Sequence, residues 1–442
     1  MLKTAIRTII AAQMLVGLPA MAAETPLEKA IDNDYGYLQK LFVHFHENPE
    51  LSFEERKTSA KLAEELKSIG YDVTTGVGGT GVVAILKNGD GPTVMVRADM
   101  DGLPLKEKSG LSYASHVHEV DADGKDFPVM HACGHDVHIT SLIGTARRMA
   151  AMKDKWQGTL MLIGQPAEER IGGAKAMLKD GLYKRFPVPT YALAFHVNSQ
   201  MATGHISYKS GIMYSSSDSV RITIHGIGTH GAAPDKGKDP IVLGAEIINA
   251  LQTLVSREIS PLDPGVVTVG TFNGGTKNNI ISDKAVMTLT VRSNSEDVRH
   301  KLLQGIKRIA ENAGRMAGLP ENLLPTVELS IESAPTTIND PALTAKLDKV
   351  FKAKLGADKV IPYVQRNMGA EDFSYFVQTP EHVPGFYYQV GGTPQAAFDA
   401  EKNGGPAVPA HHSPLFKIAP EGSIKMGVES MTIAAMNLMP KH

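Results

Sequence analysis

The chain has 442 residues, too many for one ordinary core, so two domains are expected. Hydrophobic residues make up 42% and charged residues 21%, the balance of a globular protein rather than a disordered or fibrous one. With a net charge of −2 and no long basic run, nothing suggests a nucleic-acid partner, and none is expected.

Lys3 and Arg7 form a positive leader, Thr8 to Leu18 a short apolar run, and Ala20-Met21-Ala22 a small-x-small cleavage site. Residues 1–22 read as a secretory signal peptide, and the mature protein as exported, periplasmic or secreted. The apolar run is too short to span a bilayer and no later stretch is long and apolar enough, so no stable membrane insertion is expected. Export sharpens the meaning of Cys133, the only cysteine. Exported proteins usually pair their cysteines. A single one is an accident, an intermolecular link, or a thiolate held by something else.

Asn33 to Phe45 has apolar residues at helical spacing, followed by a break at Pro49 in His46-Glu47-Asn48-Pro49-Glu50-Leu51-Ser52. Glu54 to Ile69 reads as an amphipathic helix ended by Gly70. Val73 to Leu86 gives two short strands around Gly78-Gly79, and Thr93 to Arg97 a buried strand running into Asp99 and Asp101. Lys106 to Phe127 is polar and irregular, a surface insertion.

The stretch His131-Ala132-Cys133-Gly134-His135-Asp136-Val137-His138 packs three imidazoles, a thiol and a carboxylate into eight positions. Such a donor set suits a divalent metal. Val137 to Met152 is helical in period, so the cluster occupies a loop and a helix start. Gly158 to Ile163 is an apolar strand leading to Glu168 and Glu169, and Gly173 to Lys179 is helical. Tyr191 to Phe195 is a third buried strand, ending in His196. Alternating strands and helices imply an α/β fold with a mostly parallel sheet. Three strands thus deliver ligand-type residues past their C-terminal ends, where sites form in such sheets. Taken singly, each carboxylate pair is equally suited to capping a helix.

From Ser216 the pattern changes to strand, helix, strand, strand, helix, strand. The pieces are Val220–His225, a helix opened by Asp239-Pro240, Val266–Phe272, Val286–Val291, Glu296–Ala317 and Thr326–Ile331. This is a small α+β domain of the split βαβ type, over residues 216–332. It is inserted in a larger domain formed by residues 23–215 and 333–442, where Pro341 to Leu355 resumes as helix. Gly226 to Gly231 matches G-x-G-x-x-G, but no helix opens at once behind it, so a dinucleotide site is rejected and the glycines present His230 on a turn. Near the end, Glu371-Asp372 reads as an acidic helix start, and of His411-His412 only one can face a shared site.

Cys133, His135, Glu169, His196 and one of His411 and His412 supply donors for two adjacent divalent ions. Such ions polarise a carbonyl and lower the pKa of bound water towards ~7. Of Glu168 and Glu169, one can bind metal while its neighbour faces substrate and moves the proton. There is no G-x-S-x-G elbow, and a Cys133 nucleophile is the weaker alternative. An exported solute-binding protein is a rival reading from another class, and metal storage a weaker one.

Taken together, several stretches resemble the metal-dependent aminoacylase and carboxypeptidase family. The likeness is strongest to its amidohydrolase branch, with hippurate hydrolase and the auxin–amino acid conjugate hydrolases. They are His46-x-x-Pro49-Glu50-Leu51-Ser52, Arg97-Ala98-Asp99-Met100-Asp101-x-Leu103-Pro104, Met130 to Asp136, Gln165 to Glu169, Phe195-His196, Gly228-x-His230-Gly231-Ala232-x-Pro234, Met368 to Phe373 and His412-Ser413-Pro414. The resemblance implies a dinuclear site, with zinc or manganese (cobalt possible), held by Cys133, His135, Glu169, His196 and His412. It implies Glu168 as general base, Asp101 as the acidic buttress, and His230 as a residue that reaches a neighbouring subunit's site. Asn279 and Arg292 match positions that hold a substrate carboxylate. The inserted domain matches the family's lid, implying a homodimer, and the substrate is an N-acyl amino acid or, on the same scaffold, a dipeptide or carboxypeptidase substrate. Two features depart from the family: Ile280-Ile281-Ser282 where Val-Ile-Pro is frequent, and an insertion at 116–127.

Overall fold

The computed structural model describes residues 24–120 and 124–441. The signal peptide expected at 1–22 lies outside the described residues. Eight strands form the large sheet in the order Asp72–Val77, Gly81–Asn88, Gly158–Gln165, Thr93–Asp99, Tyr191–Ala202, Gly385–Thr393, Ile206–Tyr208, Val360–Pro362. Its centre, from Gly158–Gln165 to Gly385–Thr393, is parallel throughout. The first two strands, and Ile206–Tyr208 against Gly385–Thr393, pair antiparallel. The fold class is therefore α/β with a mostly parallel sheet. The central strands are buried on both faces, which is why they read as unbroken apolar runs.

On one face lies the helix His135–Ala151, packed against Pro26–Glu47, Arg56–Ile69 and Pro420–Leu438. It is buried nearly all round, so it carries no polar stripe and its N-terminal end is fixed against the sheet. Thr25 opens Pro26–Glu47 with a reciprocal capping box to Glu28, so this helix starts earlier than the apolar spacing alone suggests. Gly70 closes Arg56–Ile69 at φ 97.

Residues 216–334 build a second sheet, Gly265–Gly274, Lys284–Ser293, Ser216–His225, Thr326–Ala334, with every pair antiparallel. Pro240–Thr253 and Glu296–Met316 pack on it around a separate core of Ile222, Ile247, Leu251, Met287, Leu302 and Ile306. Asp239 caps the first helix, accepting the amides of Ile241 and Val242. The alternating strands are legible because one face of this sheet is left without helices.

Three expectations change. His196 lies inside a strand, not beyond its end, because Gly385–Thr393 pairs alongside and extends Tyr191–Ala202. Glu371 and Asp372 do stand just before a short helix, Ser374–Val377, but both are fully buried. Residues 106–120 and 124–127 lie at the surface but are not wholly irregular: Glu107 reaches His46 at 3.2 Å, and His118–Val120 pairs with Asp126–Pro128.

Candidate active site

The donor cluster draws on four separate parts of the chain. Gly134, at φ 92, turns the loop into the helix His135–Ala151. A Cβ there would lie 2.4 Å from Val197 Cγ1, so only glycine passes beneath the strand. That approach sets Cys133 Sγ 3.3 Å from His196 Nε2. His135 Nδ1 donates to the Asp101 carbonyl at 2.8 Å, and its Nε2 is buried with no hydrogen-bond partner. His196 Nδ1 likewise donates to the Val197 carbonyl at 2.6 Å. An imidazole pinned through one nitrogen presents the other to a metal.

Cys133, His135 and His196 bring one donor atom each within 4.8 Å of one another. The same spacing holds for Cys133, Glu169 and His412, and for His135, Glu168 and Glu169. Cys133 is common to two of these groups. His412 Nε2 lies 3.3 Å from one Glu169 oxygen, while Glu169 Oε1 is buried without a hydrogen-bond partner. His412 takes φ 62, with its amide donating to the Ala132 carbonyl at 2.9 Å. A left-handed non-glycine residue is local strain of the kind found at functional sites. His411 is engaged differently: its Nε2 accepts the Ser199 amide at 3.2 Å.

Asp101 braces both glutamates. Its carboxylate accepts the Glu168 amide at 3.1 Å, the Glu169 amide at 3.0 Å and the Ser52 hydroxyl at 2.6 Å. Burial pushes the Glu168 carboxyl well up, and Glu371, Glu169, Asp372 and Asp99 add to it. Burial also pushes the Cys133 thiol well up, again with Glu169 and Glu168 adding. For His135 burial acts downward, but Asp99 and Asp101 outweigh it and hold the imidazole up at about 10. Negative charge is thus crowded around unpartnered donor atoms. Divalent cations fit that set, since they neutralise carboxylates and draw a thiol towards thiolate.

The layer behind these donors was not read from the sequence. Arg97 is fully buried and donates to Asp99 at 2.7 Å, Gln165 at 2.7 Å, Glu371 at 2.8 Å and Asp372 at 3.2 Å. Asp372 also accepts the Ala174 amide at 3.0 Å, at the start of Gly173–Lys179. The available signal is an arginine in an apolar strand, because a buried guanidinium requires counter-ions. His138 donates through Nδ1 to Asp99 at 2.5 Å and accepts the Val197 amide at Nε2, 2.8 Å away. It therefore positions the strand beside His196. In the His46 motif, Glu50 accepts the amides of Lys57 and Thr58 at the start of Arg56–Ile69, and His46 meets Asp136 at 2.7 Å.

A cleft of about 630 Å³ opens over the cluster, lined by Cys133, Glu168, Glu169, His196 and His412 together with Arg292, Arg366, Tyr214 and Asn198. His230 and Asn279 are not among its lining residues. They sit together on the second domain, where His230 pairs with Ile280 and Gly231 donates to the Asn279 carbonyl. Both side chains are exposed.

Residues 95–403 match the model of peptidase family M20/M25/M40. The chain belongs to this family. This M20 protein is 36% identical to thermostable carboxypeptidase 2 of Saccharolobus solfataricus over 400 residues, 90% of this chain and 94% of that one. It is 38% identical to hippurate hydrolase of Campylobacter jejuni over 345 residues, 78% and 85% of the two chains. The crystal structure of the Bacillus subtilis YXEP protein, a dinuclear metal binding peptidase from the M20 family, superposes with a TM-score of 0.73 at 27% identity, covering 93% of this chain and 99% of that one. The M20 protein is accordingly a hydrolase of the metallopeptidase and amidohydrolase type, not a solute-binding or metal-storage protein.

Proposed function

We propose that this protein is an exported two-metal amide hydrolase that splits hippurate-like N-acyl amino acids into an acid and an amine. The observation that supports it most is Glu168 standing beside the donor groups while Asp101 fixes its backbone. In this reading Cys133, His135, Glu169, His196 and His412 hold two divalent ions, zinc or manganese with cobalt as a further option. When bound, the ions polarise the scissile carbonyl and make water acidic enough to attack at neutral pH. Glu168 takes the proton from the attacking water and returns it to the leaving nitrogen, leaving the carboxylic acid and the free amine. Its buried, carboxylate-rich surroundings suit a base that must first gain and then release a proton. Arg292 holds the substrate carboxylate, with Asn279 and His230 brought to the site by the second domain of a homodimer. A guanidinium fork matches a carboxylate.

Cleavage of dipeptides or C-terminal residues is the second reading, favoured by the likeness to a thermostable carboxypeptidase. Metal content and turnover of benzoyl-glycine and of plain dipeptides should be measured on one purified sample, before and after chelation. Hydrolysis lost with the metal and restored by zinc or manganese is the expected result, and the faster substrate chooses between the readings. Turnover indifferent to chelation sinks the metal assignment.

A further inference from the structure

Among the described residues, two guanidiniums of the cleft have no ion-pair partner. Its carboxylates are engaged elsewhere: Glu168 and Glu169 in the donor cluster, and Glu371 with Arg97 and the Tyr387 hydroxyl. Arg292 lines the cleft from the strand Lys284–Ser293, and its Nη1 is buried with no hydrogen-bond partner. The carboxylate beside it, Asp218, is taken by Arg299, which forks onto both oxygens at 2.7 and 2.8 Å. Arg366 lines the same cleft from the loop between Val360–Pro362 and Ser374–Val377. Among the described residues no carboxylate lies within ion-pair distance of it. The segments that carry the two arginines meet: Asn294, two residues beyond Arg292, donates at 2.8 Å to the side chain of Gln365, the neighbour of Arg366. Ser215 completes that junction, accepting from Gln365 Nε2 at 3.0 Å.

Two cations without ion pairs in one substrate cleft offer places for two anionic groups of a substrate. An N-acyl derivative of a neutral amino acid has one carboxylate, and Arg292 suffices for it. We infer that Arg366 reads a second carboxylate on the amino acid side, so that this enzyme prefers N-acyl derivatives of aspartate or glutamate. The inference rests on the proposed amide hydrolysis and narrows its substrate. Arg366 is exposed, so its contribution is that of a solvent-screened pair, about five- to tenfold in discrimination.

Benzoyl-L-glutamate and benzoyl-L-glutamine differ by this charge and little else. With the metal-loaded enzyme, kcat/KM should favour glutamate by about five- to tenfold, mainly through KM, and the ratio should collapse towards one in Arg366→Gln. Arg366→Glu should invert it. Equal kcat/KM for the two substrates, or a preference that survives Arg366→Gln, overturns the inference. Calorimetric titration of L-glutamate against L-glutamine gives a readout independent of turnover. Tighter glutamate binding that Arg366→Gln abolishes upholds the arginine pair even if neither benzoyl compound is cleaved, an outcome that removes only the hydrolysis reading. Equal binding of the two amino acids removes the pair.

Discussion

Asp101 receives the amides of both Glu168 and Glu169, so two adjacent side chains leave one fixed backbone in different directions. Ala167, just before them, is held at φ 47 with its amide donating to Glu55 at 2.8 Å. Gly173 follows closely, and a Cβ there would collide with the Pro166 carbonyl at 1.6 Å. The turn is therefore braced on both sides, and a small change in the Glu168 side chain leaves its position intact. Glu168→Gln keeps the shape and removes the proposed proton acceptor. We expect kcat to fall by about 10²–10⁴-fold, with metal content by elemental analysis unchanged. Near-normal kcat in this variant removes Glu168 from the proton transfer. Cysteine and histidine donors were legible as chemically rare types, and Cys133, His135 and Glu169 also because they fall at a helix start or just past a strand end. Asp99, His138 and Arg97 were not assigned roles, since a buried positioning partner is defined by what lies across the sheet rather than by its chain neighbours.

At the scale of elements, legibility follows the solvent. The second domain shows alternation because its sheet keeps one face free of helices, whereas the long C-terminal helix Pro420–Leu438 is buried almost throughout and shows no stripe. Gly385–Thr393 sits in the middle of the large sheet, yet its partner Tyr191–Ala202 is separated from it by the whole second domain. No local pattern announces that pairing. One residue of the last helix makes a clean test of burial. Glu429 is 6% exposed, and burial raises its carboxyl to about 7, with Glu28 adding. In the unfolded chain it titrates in the ordinary carboxylate range. Its raised folded value means that stability is fully present below that range and is lost as pH rises through about 7. Glu429→Gln should therefore stabilise the protein by about 1–2 kcal/mol at pH 8, after allowance for partial solvation. The gain should shrink to a fraction of that at pH 5. Urea denaturation at the two pH values measures it, and an equal gain at both would show that the effect is packing and not charge.

At the scale of the molecule, the role proposed for His230 requires it to reach a cleft that is lined without it. Its Nδ1 accepts the Ala232 amide at 3.0 Å, which places the proton on Nε2 as an outward donor suited to a carbonyl oxygen. The ring is exposed and the cleft of the same chain is lined without it. Either the second domain swings towards its own cleft, or a second copy supplies the histidine. The two arrangements give opposite results with a pair of inactive variants. Glu168→Gln lacks the proposed base, and His230→Ala lacks the proposed donor. If each site borrows His230 from its partner, a mixed dimer contains one site with neither group and one site with both. A 1:1 mixture brought to exchange equilibrium has half its dimers mixed, so activity should recover to about a quarter of the native value. If His230 serves its own chain, every site in the mixture lacks one group and no activity returns. We expect recovery, because Ile227, Ile241, Val242 and Ile280 are exposed apolar side chains around the same turn, and a surface of that kind is what a second copy would cover. Size-exclusion chromatography of the native protein supplies the matching observation: a monomer at assay concentration would rule out the shared site whatever the variants do.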